Sequence, residues 1–185
     1  MMKHILSVIL MLFVVNSYAD EWSGNVNFLL GTKQLDSDDW GPFDEQGAFG
    51  VLVDFKQKSW PISMAIDLLG SLDKETISGI DTEASTSEFD IGIRKIWEVS
   101  GSSIRPFIGG GIAFINAEIK ETNVFSASID DSGTGIWLNG GVYWTLGQHF
   151  NLGLQARYSK AEITIAGING EAGGTHAAVM LGYHW

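Results

Sequence analysis

Cysteine is absent from the 185 residues, and proline occurs only three times. Without cysteine the chain can form no disulfide, offers no thiolate to a metal and cannot carry the lipid anchor of a lipoprotein. Basic residues are scarce as well, with 11 Lys and Arg against 22 Asp and Glu and a formal net charge of −11. That balance argues against nucleic acid as a partner.

Long apolar runs are missing beyond the first nineteen residues. In that leader, Lys3 precedes an almost unbroken apolar run over 5–15, and Ser17 and Ala19 place small residues at positions −3 and −1 before Asp20. This pattern predicts a signal peptide at 1–19 and one mature domain at 20–185. No later stretch approaches the ~20 apolar residues that a membrane helix needs.

Alternation of apolar and polar residues is the main feature of the rest of the chain. It predicts eight strands, at about 22–33, 47–55, 62–72, 88–97, 104–120, 135–146, 150–165 and 175–185. The fifth segment changes parity, because the apolar positions continue from Phe114 to Ile115 and Ala117. A β-bulge near Phe114 is therefore expected.

The predicted connections alternate in length. Those at 56–61, 98–103 and 147–149 are short, and those at 35–46, 73–87, 121–134 and 166–174 are longer and rich in Asp and Glu. Short turns on one rim and long loops on the other are typical of an outer-membrane β-barrel.

The two faces of the strands indicate which side meets lipid. The polar face is rich in Gly, Ala, Ser and Asn, whereas a water-exposed strand face carries more Lys and Glu. Aromatic residues gather near the ends of the apolar face, as in the girdles of membrane barrels: Trp22, Phe55, Trp97, Trp144, Phe150, Tyr158, Tyr183 and Trp185. The alternative is a soluble, lipocalin-like carrier with its apolar face inward.

Two segments resemble a known group of proteins. Residues 104–111, IRPFIGGG, look like a strand common in small outer-membrane β-barrels, and residues 181–185, LGYHW, look like their aromatic-ended assembly signal. The chain resembles the OmpA-like transmembrane domain, OmpX/Ail and opacity families. The resemblance implies a closed, eight-stranded, antiparallel, up-and-down transmembrane barrel in the outer membrane of a Gram-negative bacterium.

The same resemblance implies partners. A monomer would contact outer-membrane lipid and lipopolysaccharide. The barrel-assembly machinery would recognise Tyr183 and Trp185.

With the apolar face outward, charged side chains would point into a lumen just wide enough for side chains to fill it. The predicted lumen network consists of Asp54, Asp67, Glu88, Asp90, Arg94, Arg105 and Arg157, with Asn25, Asn139, Gln155 and His184 beside it. Buried charges must be paired, because an isolated buried charge is heavily penalised. The network would either hold the barrel closed as a polar plug or line a narrow channel.

The sequence points to no catalytic residue, cofactor or metal site. His149, His176 and His184 are scattered, and only His176 has potential neighbours, Ser159 and Glu162, near the long-loop rim. The acidic cluster at 36–39 could attract Ca²⁺ or Mg²⁺, but it lacks the Gly and terminal Glu of a calcium loop, which favours solvated loop charge.

The prediction is a structural or surface-interaction protein with a polar, side-chain-filled lumen and acidic extracellular loops. The alternative is a narrow channel for small or hydrophobic solutes.

Overall fold

The computed structural model describes residues 21–77, 79–122, 126–165 and 168–185. Its ten strands are β1 (Trp22–Gln34), β2 (Glu45–Gln57), β3 (Ser63–Ile77), β4 (Ile80–Ile96), β5 (Ile104–Thr122), β6 (Ser126–Leu146), β7 (Phe150–Lys160), β8 (Glu162–Ile165), β9 (Ile168–Glu171) and β10 (Gly174–His184). A short helix, α1 (Ser37–Trp40), and a 3₁₀ turn, Gly41–Phe43, precede β2. The predicted signal peptide lies outside the described residues.

Eight of these strands close into an antiparallel barrel in the circular order β1-β10-β7-β6-β5-β4-β3-β2. Neighbours in sequence are neighbours in space, and the β1–β10 pair closes the ring from Asn25–His184 to Gln34–Thr175. The predicted fold class is confirmed. Within the described ranges, no helix is long and apolar enough to cross a lipid bilayer.

The barrel wall has an apolar outer face. Along β7 exposed and buried residues alternate without interruption from Phe150 to Lys160. More than two dozen large apolar side chains are exposed around the barrel, among them Phe28, Leu30, Leu68, Ile108, Leu138, Leu154 and Leu181. Such a belt would be unfavourable in water and suits the hydrocarbon of a membrane.

Aromatic rings mark the short-turn rim of this belt. Trp22 lies 6.2 Å from Phe55 and 5.7 Å from Trp60, measured between ring centroids. The three-residue turn at 147–149 on the same rim uses Gly147 at φ 66°, a left-handed conformation that glycine adopts without a steric penalty.

Two of the predicted long loops are wrong. Residues 73–77 and 80–87 belong to β3 and β4, which stay paired as far as Ile77–Ile80, and residues 121–122 and 126–134 belong to β5 and β6, which stay paired as far as Thr122–Ser126. These hairpins project past the apolar belt, where lipid no longer requires an apolar outer face. Their charged residues therefore alternate with Thr, Ser and Ile, which favour strands.

The predicted bulge near Phe114 is also wrong. β5 pairs with β4 and β6 residue for residue through this region, including Phe89–Phe114 and Phe114–Thr134. Phe114 is exposed, whereas Ile115 and Ala117 are buried on the inner face. The sequence changes parity because the environment changes: above Phe114 the outer face meets water and the inner face packs under the loops.

The long-loop end of the barrel is covered by ordered structure. The predicted seventh strand, 150–165, divides at Ala161, after which β8 leaves the wall and pairs with β9. Trp40 and Phe43 from the segment before β2, together with Ile163 of β8 and Ala172 just after β9, join one buried apolar cluster with Ile115. We call residues 36–43, 161–165 and 168–172 the cap.

The continuous register of β5 can be tested with single cysteines in this cysteine-free chain. We expect Phe114→Cys to react with a lipid-phase thiol reagent, because its side chain faces outward. Ile115→Cys and Ala117→Cys should be protected, while Asn116→Cys should react with an aqueous reagent. If Ala117→Cys reacts and Asn116→Cys is protected, the register is shifted and β5 contains a bulge.

Candidate functional site

The centre of the lumen holds a chain of alternating carboxylates and guanidinium groups. Arg94 donates to Asp54 at 3.2 Å and to Asp67 at 2.8 Å, and Arg157 donates to the same Asp67 oxygen at 3.0 Å and to Asp90. All five side chains are fully buried. Arginine suits this arrangement because its planar fork can bind two carboxylates at once.

Towards the short-turn rim, Arg105 is held by amides. Its Nη2 donates to Asn25 Oδ1 at 2.9 Å and to Asn151 Oδ1 at 2.8 Å, while Nη1 lies 3.5 Å from the exposed Glu98 carboxylate. Asn25 in turn donates to Asp54 Oδ1 at 2.6 Å. Arg105 is therefore joined to the central chain through Asn25.

The other predicted lumen residues lie on the same inner wall. Asn139 donates to Gln155 Oε1 at 3.0 Å. His184 is half-buried, and its Nδ1 lies 2.9 Å from the Gly24 carbonyl oxygen and 3.3 Å from Arg105 Nη1.

Towards the long-loop rim, the fourth buried cation is Lys33, which is not among the predicted residues of the lumen network. Its ammonium group donates to Glu88 Oε1 at 2.6 Å, to Thr86 Oγ1 at 2.8 Å and to the Ala172 carbonyl oxygen at 3.0 Å. Three acceptors match the three protons of the ammonium group. Strand parity could have found Lys33, since it lies eight residues after the inward-facing Asn25.

With Lys33 included, the lumen network is neutral. Among the described residues, the buried charged side chains are four cations and four carboxylates: Lys33, Arg94, Arg105, Arg157, Asp54, Asp67, Glu88 and Asp90. His176 is also buried, and this balance holds when it is uncharged. Neutrality matters because an uncompensated charge in so narrow a lumen would carry its full desolvation cost.

Large rings fill the space between the charges, and glycines make room for them. A Cβ atom at Gly92 would come within 2.8 Å of the Trp137 ring, and one at Gly141 within 2.6 Å of the Phe107 ring. Trp137 in turn lies 4.5 Å from the Arg157 guanidinium carbon, and Phe107 lies 5.6 Å from that of Arg94. Cation–π contacts of this kind add to the pairing of the charges.

Two acidic side chains of the cap, Asp36 and Asp39, make hydrogen bonds within the cap itself. Asp36 accepts from the Asp38 amide at 2.9 Å and so caps α1, and Asp39 accepts from the Glu171 amide at 2.8 Å. Trp40 Nε1 donates to the Glu171 carbonyl oxygen at 2.6 Å, which joins the two halves of the cap. In the described part of the chain, no group of three potential ligands is placed to hold a metal ion.

A further contact fixes β8 of the cap to the projecting part of β6. The Thr164 amide donates to Asp131 Oδ2 at 2.6 Å. This hydrogen bond stabilises the carboxylate and lowers the pKa of Asp131 below its ordinary value.

The histidines that the sequence left open do not form a nucleophile–base pair. Ser159 donates to Glu88 Oε1 at 3.2 Å rather than to an imidazole, and His176 Nε2 lies 3.3 Å from the same oxygen. His149 lies on the short-turn rim, where its Nδ1 contacts the His184 carbonyl oxygen at 2.8 Å.

Tyr183 and Trp185 lie on the outer face next to the closing seam. Trp185 exchanges two backbone hydrogen bonds of 3.1 Å with Gly24, and a Cβ atom at Gly24 would come within 2.5 Å of the Trp185 ring. Tyr183 is exposed and stacks on His149, with 5.0 Å between ring centroids. The terminal indole therefore rests directly on β1.

The interdependence of the buried charges can be measured on Asp90 and Arg157. We expect Arg157→Met to lower the free energy of unfolding by about 3–5 kcal/mol, because it leaves the buried Asp90 carboxylate without its cationic partner. Adding Asp90→Asn should recover part of that loss, which gives a favourable interaction energy in a double-mutant cycle. Urea unfolding in lipid vesicles, followed by tryptophan fluorescence, is the measurement. Strictly additive losses would contradict direct pairing.

Comparison with solved structures gives the same fold at low sequence identity. Neisserial surface protein A is 9% identical with a TM-score of 0.63, over 88% of this chain and 96% of that one. Ail, the attachment invasion locus protein of Yersinia pestis, in complex with the heparin analogue sucrose octasulfate, is 13% identical with a TM-score of 0.59, over 89% and 98%. OprG, an outer-membrane protein of Pseudomonas aeruginosa, is 11% identical with a TM-score of 0.54, over 89% and 95%.

The sequence itself matches a family model. No curated protein matches the chain. The model of the outer membrane protein beta-barrel domain, however, matches residues 5–184. This match confirms the predicted resemblance and the expected location in the outer membrane of a Gram-negative bacterium. The chain therefore belongs to the outer-membrane protein beta-barrel domain family.

Proposed function

We propose that this protein is a non-enzymatic structural and surface-interaction barrel whose lumen is closed to ions. The observation that carries the proposal is the neutral set of four cations and four carboxylates that the described residues bury across the lumen. Each carboxylate oxygen that binds a guanidinium or ammonium group would have to be released before an ion could pass. Breaking one buried pair costs about 3–5 kcal/mol, and several pairs lie in series.

The cap supports the same proposal from the outer side. In outer-membrane barrels the longer loops are extracellular, so the cap covers the extracellular mouth. Its aromatic residues Trp40 and Phe43 are buried there against Ile115. A soluble ion would thus meet an apolar layer before it reached the charged layer.

The surface available to partners is the hairpin pair formed by the projecting ends of β3, β4, β5 and β6. Its outer face carries mixed charge, including the ion pairs Lys74–Glu83 at 2.6 Å and Lys120–Glu118 at 2.7 Å. β2 pairs with β3 only as far as Gly47–Leu72. The free edge beyond Leu72 begins with Asp73, Lys74 and Glu75, and charges of this kind oppose strand addition. We therefore infer that partners bind the face of the projecting sheet.

The bound ligand of the Ail structure does not transfer to this chain. Sucrose octasulfate is a polyanion, and this chain carries 22 acidic residues against 11 basic ones. Projecting lysines such as Lys74, Lys120 and Lys160 are each engaged by a carboxylate. A neutral or cationic partner suits such a surface better.

The remaining partners belong to the same proposal. The apolar belt would contact outer-membrane lipid, and the projecting strands would lie among lipopolysaccharide headgroups. Tyr183 and Trp185, on the outer face beside the closing seam, would serve as the signal for the barrel-assembly machinery. A monomer suffices, because the strand ring closes on itself.

One observation favours the narrow channel as the second candidate. Several buried polar atoms of the network have no hydrogen-bond partner among the residues that the structure describes, including Asp67 Oδ1, Asp90 Oδ1, Arg94 Nε and Arg157 Nε. Buried atoms of this kind are commonly satisfied by water. A file of water along them would be a starting point for passage of small solutes.

Planar-bilayer recording at neutral pH distinguishes the two functions. We expect the protein to insert without steady single-channel steps, because the paired charges close the lumen. Arg94→Gln, which breaks two pairs at the centre, should give openings, while Lys74→Gln on the projecting surface should remain silent. A steady conductance of the unaltered protein would contradict the closed barrel. If its ion selectivity also changes in Arg94→Gln, the result would support the narrow channel.

A further inference from the structure

Three cationic or potentially cationic side chains lie in one row across the long-loop end of the lumen. The strand register places Lys33 of β1 opposite His176 of β10, and His176 opposite Arg157 of β7. All three face Glu88 of β4: the distances to its carboxylate are 2.6 Å for Lys33, 3.3 Å for His176 and 4.0 Å for Arg157. The Glu88 carboxylate therefore lies within 4.0 Å of three basic side chains.

This row is connected to both halves of the cap. Lys33 donates to the Ala172 carbonyl oxygen beside the β8–β9 hairpin. On the other side, Thr86 shares a hydrogen bond of 2.7 Å with Ser71, Ser71 donates to Gln46 at 2.6 Å, and Gln46 donates to the Phe43 carbonyl oxygen at 3.3 Å. Because Lys33 also donates to Thr86, its ammonium group joins these two paths.

We propose that the cap is a lid that opens in acid, with His176 as the proton-accepting group and Lys33 as the latch. The charged groups that face His176 are Glu88 from β4, Lys33 from β1 and Arg157 from β7, and the cap adds the Ala172 carbonyl through Lys33. This proposal extends the proposed closed barrel, since it concerns access to the lumen from outside.

The physical argument is a competition for Glu88. Uncharged His176 leaves Glu88 to Lys33, and the network is neutral. A proton on His176 adds a fifth cation between Lys33 and Arg157, while Asp67 and Asp90 remain bound to arginines. The imidazolium then binds Glu88 and repels Lys33, whose long side chain can turn towards the mouth. Release of Ala172 and Thr86 removes the polar contacts through which Lys33 joins the two halves of the cap to the lumen network.

The reporter for the test is a single cysteine at Ala84, a fully buried residue in the apolar cluster that contains Trp40 and Ile163. The protein in lipid vesicles is treated with a membrane-impermeant thiol reagent. Ser132→Cys, on the exposed outer face, corrects for the pH dependence of the thiol itself. The corrected rate at Ala84→Cys measures the opening of the lid.

We expect the corrected rate to rise at least about tenfold between about pH 7 and pH 4.5, a range that extends below the one in which an exposed histidine takes up a proton, because His176 is buried beside Lys33 and Arg157. His176→Gln should abolish that rise, and Lys33→Met should give fast labelling at both pH values. Lys74→Met, which removes an exposed lysine far from the row, should behave like the unaltered protein. If Lys33→Met fails to fold, His176→Gln alone still decides the matter.

Two results would overturn the lid. One is a corrected rate that is the same at both pH values, and the other is an acid-induced rise that survives in His176→Gln. Neither result tests the proposal that the lumen is closed to ions. That proposal is contradicted if the unaltered protein conducts ions at neutral pH. The two proposals can therefore fail separately.

Discussion

The structure depends on one electrostatic constraint, which is that charges inside an eight-stranded barrel must neutralise one another. The lumen is only wide enough for side chains, so a buried carboxylate cannot keep its hydration shell. Asp67, held by Arg94 at 2.8 Å and by Arg157 at 3.0 Å, shows how the chain meets this constraint. Pairing replaces solvation, and in the described part of the chain four buried cations balance four buried carboxylates.

The other features of the lumen follow from this arrangement. Inward glycines such as Gly92 and Gly141 are needed because Trp137 and Phe107 occupy the space between the ion pairs. The cap depends on it as well, since Lys33 binds both Glu88 and the Ala172 carbonyl oxygen. The outer wall is under a different constraint, contact with lipid, which ends where β3 to β6 project beyond the apolar belt. The same strands therefore change from an apolar to a polar outer face without any break in pairing.

Strand alternation is enough to predict the barrel, because residue parity alone decides which side of the wall a side chain faces. It fails where the environment of a face changes along a strand: Phe114 and Ile115 are both apolar because one meets the outer interface and the other the cap. The predicted loops at 73–87 and 121–134 are wrong for the same reason, because charged residues such as Glu83 and Lys120 lie on strands that extend beyond the lipid. The role of Lys33 and the joining of the two halves of the cap depend on contacts between residues far apart in the sequence, such as Lys33–Glu88 and Trp40–Glu171. Such contacts leave no periodic pattern in the sequence.

The central claim, that the lumen charges are paired and shielded from solvent, is tested most directly by the guanidinium signals of Arg94 and Arg157 in nanodisc NMR spectra. Rigid pairing to Asp54, Asp67 and Asp90 should separate the individual NηH resonances and slow their exchange with water. Averaged resonances that exchange with water as quickly as those of free arginine would contradict the claim.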